Sequence, residues 1–372
     1  MKIQLISSAI LVGLLCSSCT STLEGKASGD DFPNDSEECF YWAFKYYKGD
    51  GVKQDLLKAK DLFEKSCSLG NKYGCFMHAG YYDEGKVVKQ DYTKALKYYE
   101  QACDLNNENG CGMAGVFFRD GTGVEQNYLT AKEFFEKSCD LKCGEGCSDY
   151  GNLYERGNGV EKDFFKASVL YKKACDLDSG TGCSNLGALY ERGDGVKQDF
   201  SKAKELYEKS CNLKSGLGCS NFGLLYLNGK GMQKDFSKAN ELFDKSCNMN
   251  ERLGCFYLAH SYLKGLGIKK DSLMSVNLFE KSCNLKEGGG CFNAGLLYSK
   301  GKVVTQNTFK ANELYEKACA LDIGDGCLNL GTSYYNGSGV KQDYIQAKKF
   351  YGKACDLGSN AGCDNYRLLN LK

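Results

Sequence analysis

Cysteine recurs in this chain at a fixed interval. Residues 67, 103, 139, 175, 211, 247, 283, 319 and 355 are all Cys, one every 36 positions. A second series at 75, 111, 147, 183, 219, 255, 291, 327 and 363 follows the first by eight residues throughout. Eighteen of the 22 cysteines obey this rule without an insertion or deletion. A period of this length marks a repeat architecture, in which each supersecondary unit buries its apolar face against its neighbours. The chain is therefore expected to be built unit on unit, with no single large core.

The eight-residue offset constrains the turn inside each pair. On one continuous helix such cysteines would stand roughly 12 Å apart, whereas a disulfide needs Cα atoms within about 7 Å. A bridge requires the chain to reverse between them. The intervening residues favour reversal: Ser-Leu-Gly-Asn-Lys-Tyr-Gly follows Cys67, Asn-Leu-Lys-Ser-Gly-Leu-Gly follows Cys211, and Gly precedes the second Cys of all nine pairs. We read Cys67–Cys75, Cys103–Cys111, Cys139–Cys147, Cys175–Cys183, Cys211–Cys219, Cys247–Cys255, Cys283–Cys291, Cys319–Cys327 and Cys355–Cys363 as staples across a helix–turn–helix. Loop-entropy reasoning gives each about 2–3 kcal/mol. The alternatives are reduced structural thiols and zinc. Zinc sites favour closer Cys spacing with His support, and this chain has only His78 and His260. No metal and no cofactor is expected. Persistent disulfides call for an oxidising compartment.

The N-terminus points the same way. Lys2 precedes an apolar run from Ile3 to Leu15, then Cys16-Ser17-Ser18-Cys19. That is the layout of a signal peptide, here residues 1–18, and the run is too short for a permanent membrane span. Cleavage after Ser18 would leave Cys19 first, as in a bacterial lipoprotein, although Cys16 stands where a lipobox has Leu. Lipid attachment at Cys19 and simple secretion or periplasmic release both stay open. Residues 19–38, with the only proline, Pro33, read as a polar linker.

One repeat shows the pattern. Cys183, Leu186, Gly187 and Tyr190 lie at i, i+3, i+4 and i+7, one face of an amphipathic helix A. The i+4 position is always Gly or Ala and i+7 always aromatic, which predicts a close helix approach and a core stripe. Gly193 suits the residue past a helix end. Asp199 then suits the N-cap of helix B, whose inward residues are Ala203, Leu206, Tyr207, Ser210 and Cys211. Nine A–B units fill 39–362, and 363–372 reads as a capping helix.

Leu186-Gly187-Ala188-Leu189-Tyr190-Glu191-Arg192-Gly193-Asp194-Gly195-Val196, followed by Asp199 and Lys202-Ala203, resembles the Sel1-like repeat, a relative of the tetratricopeptide repeat. The paired cysteines resemble those of the Helicobacter cysteine-rich protein family. The resemblance covers about 39–372. It implies an all-α, right-handed α/α superhelical solenoid of nine 36-residue repeats, each stapled to the next, and an exported role in contacts with partner or host proteins. It also implies penicillin binding and β-lactamase activity.

The residues themselves support a hydrolase weakly. Serine β-lactamases use S-x-x-K, S-D-N and K-T-G elements. Ser201 and Lys204 fit the first, but Leu57, Thr93 and Phe165 hold the position of Ser201 in other repeats. A binding face is better marked. Two residues after the second cysteine stand Asn185, Asn221, Asn293 and Asn329, and nine after it Arg156, Arg192, Lys264 and Lys300. Asn offers donors and an acceptor to a peptide main chain. The expected partner is an extended peptide or protein, with the chain acting as a monomer. A formal charge of +1, with Lys and Glu spread through every repeat, gives no basic patch for nucleic acid.

Cys39 and Cys143 stand outside the pairs. Cys39 has Asp31 where its partner would be, so a bridge to an unlipidated Cys19 is one reading. Cys143 interrupts the loop of Cys139–Cys147 and could displace either partner.

Overall fold

The computed structural model describes residues 34–370. The expectations for the signal peptide, Cys19 and most of the linker lie outside those residues. Among the described residues there are 19 helices and no strand. The chain divides into two compact units. The first runs to Leu153 and includes Gly157–Glu161, and the second comprises Tyr154–Arg156 and the chain from Lys162 onward.

The first unit holds α1 (Ser36–Lys48), α2 (Leu56–Ser68), α3 (Lys72–Glu84), α4 (Tyr92–Asp104), α5 (Glu108–Asp120) and α6 (Tyr128–Asp140). The next helix, α7 (Gly144–Arg156), contributes residues to both units. The second unit holds α8 (Phe164–Asp176), α9 (Gly180–Arg192), α10 (Phe200–Asn212), α11 (Gly216–Asn228), α12 (Phe236–Asn248) and α13 (Arg252–Lys264). It continues with α14 (Ser272–Asn284), α15 (Gly288–Lys300), α16 (Thr308–Ala320), α17 (Gly324–Asn336), α18 (Tyr344–Asp356) and α19 (Asn360–Asn370). Odd-numbered helices up to α17 are A helices and even-numbered ones are B helices. Two boundaries differ from expectation. The first helix starts at Ser36, inside the stretch read as linker, because Asp35 caps it through the Glu37 and Glu38 amides. The last starts at Asn360, with Ser359 Oγ accepting from the Gly362 amide.

Local chemistry explains the punctuation. The N-cap of every B helix is Asp or Asn, from Asp55 to Asp343, and its side chain accepts a backbone N–H two or three residues on. Each such cap is worth about 1 kcal/mol. Five of the nine repeats close on themselves where a B-helix Ser reaches the first carbonyl of its own A helix; the other four have Ala102, Ala174, Ala318 or Ala354 there. Ser210 Oγ donates to Gly180 O at 2.6 Å, and Ser66, Ser138, Ser246 and Ser282 do the same in their repeats.

Disulfides then join one repeat to the next. All nine expected pairs form, with Cα atoms 4.4–4.6 Å apart. Each links the end of a B helix to the following A helix. Cys143 displaces neither neighbour and keeps its thiol as the N-cap residue of α7. Cys39 is fully buried, and its proposed partner, Cys19, lies outside the described residues.

The aromatic stripe needs a correction. Seven of the fully buried rings belong to the B helices, Phe63, Tyr99, Phe135, Tyr171, Tyr207, Phe243 and Phe279, and one, Phe117, lies on the A helix α5 just before its i+7 aromatic. The B-helix rings lie against the small i+4 residue of helix A, where a Cβ on Gly187 would come within 2.8 Å of Tyr207. The i+7 aromatics are mostly half-buried. Their outer faces are covered by the third residue of the B helix: Lys166 lies 4.3 Å from the Tyr154 ring and Lys310 4.2 Å from that of Tyr298. Lys58, Lys94, Lys202 and Lys238 repeat the contact. A cation over a ring lets the aromatic meet water on one side.

Candidate functional site

The residues two, five and nine positions after the second cysteine share one face of each A helix, since those offsets recur at helical spacing. In the second unit this face carries Asn185 on α9, Asn221 on α11, Asn293 on α15 and Asn329 on α17, all half-buried. Their amides are partly engaged. Asn221 Nδ2 donates to Ser184 Oγ at 3.1 Å, which ties α11 to α9, and Asn293 Nδ2 donates to Gly289 O at 2.8 Å within its own helix. Asn329 shares a side-chain hydrogen bond with Tyr315. These bonds orient the amides of Asn221, Asn293 and Asn329. A primary amide has two donors and an acceptor, so one bond leaves capacity for a ligand main chain.

The cations differ from one another. Arg156 is exposed at the end of α7. Arg192 is pinned, with Nη2 2.8 Å from Glu155 Oε1 and Nε 2.6 Å from Asp194 Oδ2. Ser201 is exposed and Lys204 half-buried, one turn apart at the start of α10. Both histidines pack on rings: His78 against Tyr98 at 4.4 Å and His260 against Phe256 at 4.6 Å. Burial holds both imidazoles below their usual range.

One recurring contact escapes the reading of a single repeat. In the second, fourth and fifth repeats the residue eight after the second cysteine accepts from the buried B-helix tyrosine of the same repeat. Tyr171 Oη donates to Glu155 Oε2 at 2.6 Å, Tyr207 to Glu191 Oε2 at 2.8 Å, and Tyr99 to Asp83 Oδ2 at 3.4 Å. In the sixth and seventh repeats, where the buried ring is Phe243 or Phe279, that position is Leu227 or Leu263. The signal was present as a paired change between repeats. The acids also reach the next repeat: Glu155 receives Arg192, and Glu191 receives Lys230 at 2.9 Å.

On α7 the position two after the second cysteine, where four other A helices carry Asn, holds Asp149, whose Oδ1 lies 2.9 Å from Arg119 Nη1. Burial pushes its carboxyl up to about 6; Arg119 pulls the other way, and Glu145 and Asp120 add to the rise. A carboxyl raised in the folded state favours folding below its unfolded value and loses that contribution as pH climbs through the folded one. Stability should therefore fall between about pH 4 and 6, by about 1 kcal/mol after screening of a side chain 32% exposed. Urea unfolding of wild type and Asp149→Asn across that window checks this. The variant should flatten the slope, and an unchanged slope would assign the dependence elsewhere.

Stacked helical hairpins presenting a periodic polar face define a helical-repeat scaffold. The chain belongs to the Sel1 repeat family, whose repeat matches residues 39–71, 72–107, 110–143, 144–179, 181–215, 216–251, 253–286, 289–323 and 324–359. No curated protein sequence matches it. Among solved structures it is similar to c5321, a protective antigen present in uropathogenic Escherichia coli strains, at 25% identity over 90% of this chain and 80% of that one, with a TM-score of 0.53. It is similar to a Sel1 repeat protein of Oxalobacter formigenes at 21% identity, over 66% of this chain and 96% of that one, with a TM-score of 0.55. Cysteine-rich protein B of Helicobacter pylori is 38% identical over 36% of this chain and 97% of that one, with a TM-score of 0.30. Among the described residues, no helix is long and apolar enough to cross a membrane.

Proposed function

We propose that this chain is an exported scaffold that holds an extended peptide segment of a partner protein along the face bearing Asn185, Asn221, Asn293 and Asn329. The observation that carries the reading is their recurrence at one helical register, half-buried on four A helices of the second unit. The Asn side chains stand one 36-residue step apart in two pairs, with Tyr257 between the pairs, and such a spaced polar face suits a ligand that repeats along its length, as a peptide main chain does. Export is supported by the clasped cysteines, nearly all buried below 5% exposure, since such bridges persist in oxidising compartments. The similarity to a protective antigen of E. coli supports contact with a host.

The test is titration calorimetry with a partner recovered by pull-down on oxidised protein. Asn185→Ala/Asn221→Ala should weaken binding about 30-fold, from two lost main-chain hydrogen bonds at about 1 kcal/mol each. Unchanged affinity would remove the ladder from the interface.

A further inference from the structure

At the start of three B helices the surface carries apolar residues that packing does not require. The second residue is Leu273 on α14, Phe309 on α16 and Ile345 on α18, in successive repeats of the second unit. Their exposures are 59%, 62% and 81%, and Met274 and Tyr344 beside them are exposed as well. Ser201 and Ser237 hold the same place on α10 and α12, so an apolar residue there serves no core. Large apolar groups exposed side by side mark an interaction surface.

These helix starts lie together because an A–B loop rides on the B helix before it. Asn312 Nδ2 on α16 donates to Ser338 O in the following loop at 2.7 Å. A Cβ on Gly339 in that loop would come within 2.7 Å of Thr308, the first residue of α16. Lys310 Nζ on α16 reaches Glu280 Oε1 on α14 at 2.5 Å. The loop of one repeat therefore stands beside the apolar residue of the repeat before it.

The loops are basic. Lys269, Lys270, Lys302 and Lys341 are exposed, and none of the four has an ion-pair partner among the described residues. The acids among them are Asp271 and Asp343, and each spends an oxygen on its own helix. Asp271 Oδ1 accepts from the Met274 amide, and Asp343 Oδ1 from those of Ile345 and Gln346. One turn further along, the exposed positions hold Asn277, Glu313 and Lys349, whose charges cancel. Three helix N-termini add their positive dipole ends. The edge is thus positive in a chain whose formal charge is only +1.

We propose that this edge of the second unit docks on an anionic lipid surface, with Leu273, Phe309 and Ile345 entering the headgroup–acyl boundary and the four lysines facing lipid phosphates. Apolar side chains flanked by lysines are what an interfacial site presents, and Tyr344 suits the boundary, with an apolar ring and a polar tip. Side chains that protrude singly fit a deformable partner, whereas a folded protein would need a hole for each. A second copy of this chain would bring its own unpaired lysines against these, and like charges oppose that pairing. The edge is built from B-helix starts and is separate from the Asn face on the A helices, so the two readings fail separately.

The experiment uses oxidised full-length protein carrying Phe309→Trp, with wild type, whose one indole is Trp42, as the blank. Mixed phosphatidylcholine–phosphatidylglycerol vesicles should move the added emission to the blue, and brominated acyl chains should quench it. Phosphatidylcholine alone, or mixed vesicles in high salt, should bind at least about tenfold more weakly. In the same background Lys269→Gln/Lys270→Gln/Lys302→Gln/Lys341→Gln should lose at least about 100-fold. Leu273→Ser/Ile345→Ser should lose at least about tenfold. The substituted side chains are exposed, so thermal midpoints should stay in place. No blue shift on mixed vesicles, or equal partitioning of all variants, would overturn the proposal. So would an emission change produced by a DNA duplex or by self-association but not by vesicles.

Discussion

Full reduction of the nine disulfides is expected to lower the thermal midpoint by more than about 20 °C and to split one transition into several. In the loop-entropy account each clasp contributes about 2–3 kcal/mol. The nine contributions do not sum into one number, because a linear array unfolds in segments whose stability reflects repeats and nearest-neighbour interfaces. A segment of two or three repeats is the relevant length, and at that size each kcal/mol moves the midpoint by roughly 4–8 °C. The clasps lie at those interfaces, Cys211 at the end of α10 joined to Cys219 on α11. Calorimetric scans with and without a phosphine reductant measure the effect. A drop under about 5 °C would show that helix packing alone carries the array. Cys211→Ser/Cys219→Ser should lose about 2–3 kcal/mol and expose its own segment first to protease.

The second large effect is expected at the glycine before the second cysteine. A Cβ on Gly218 would overlap the Ser210 side chain and meet Cys211 N at 3.0 Å. Gly74, Gly146, Gly254 and Gly290 face their own Ser in the same way. Neither wall can retreat easily. Ser210 Oγ is held by Gly180 O at 2.6 Å, and Cys211 is tied to Cys219. Gly218→Ala should cost about 3 kcal/mol by urea unfolding, the upper end of overpacking effects. Adding Ser210→Gly should return about 1 kcal/mol, the coupling expected of residues in contact. Gly80→Ala is the matched control: the same change in the same kind of helix, facing open space, should gain about 1 kcal/mol. If both changes had the same sign, steric contact would not be the reason for glycine at 218.

Much of this fold was legible in the sequence because its determinants are local and repeated nine times. The reversal between paired cysteines, the Asp or Asn before each B helix and the glycine after each A helix all depend on neighbours within a few positions. What escaped depends on pairs from different helices. The i+7 aromatics were read as core because their spacing is helical; their half-exposure follows from a lysine on the adjacent B helix, such as Lys202 5.1 Å from the Tyr190 ring. The backbone conformation of the turn inside each clasp was hidden, although the reversal itself was not. It needs a left-handed residue, supplied by Gly70 and Gly358 in two repeats but by Lys142, Lys214 and Lys286 in others. A lysine at φ near 60° is disfavoured by roughly 1–2 kcal/mol, and nothing in its identity signals the conformation. There the clasp and the packed hairpin impose the backbone. The Asn register was visible as a recurrence in the sequence alone.

The position of the clasps bears on how such a chain would respond to tension. A pull on the two ends passes through every B-to-A turn, and each turn is short-circuited by a bond between residues eight apart. The shortcut withholds those links from extension even after the surrounding helices let go. Only the stretches from one clasp to the next could be drawn out, at about 3.3–3.6 Å per residue. An array anchored at one end and gripped at the other would lengthen in steps of near-uniform size, set by the 36-residue period, and each turn would stay folded back on itself as a seed for recoil.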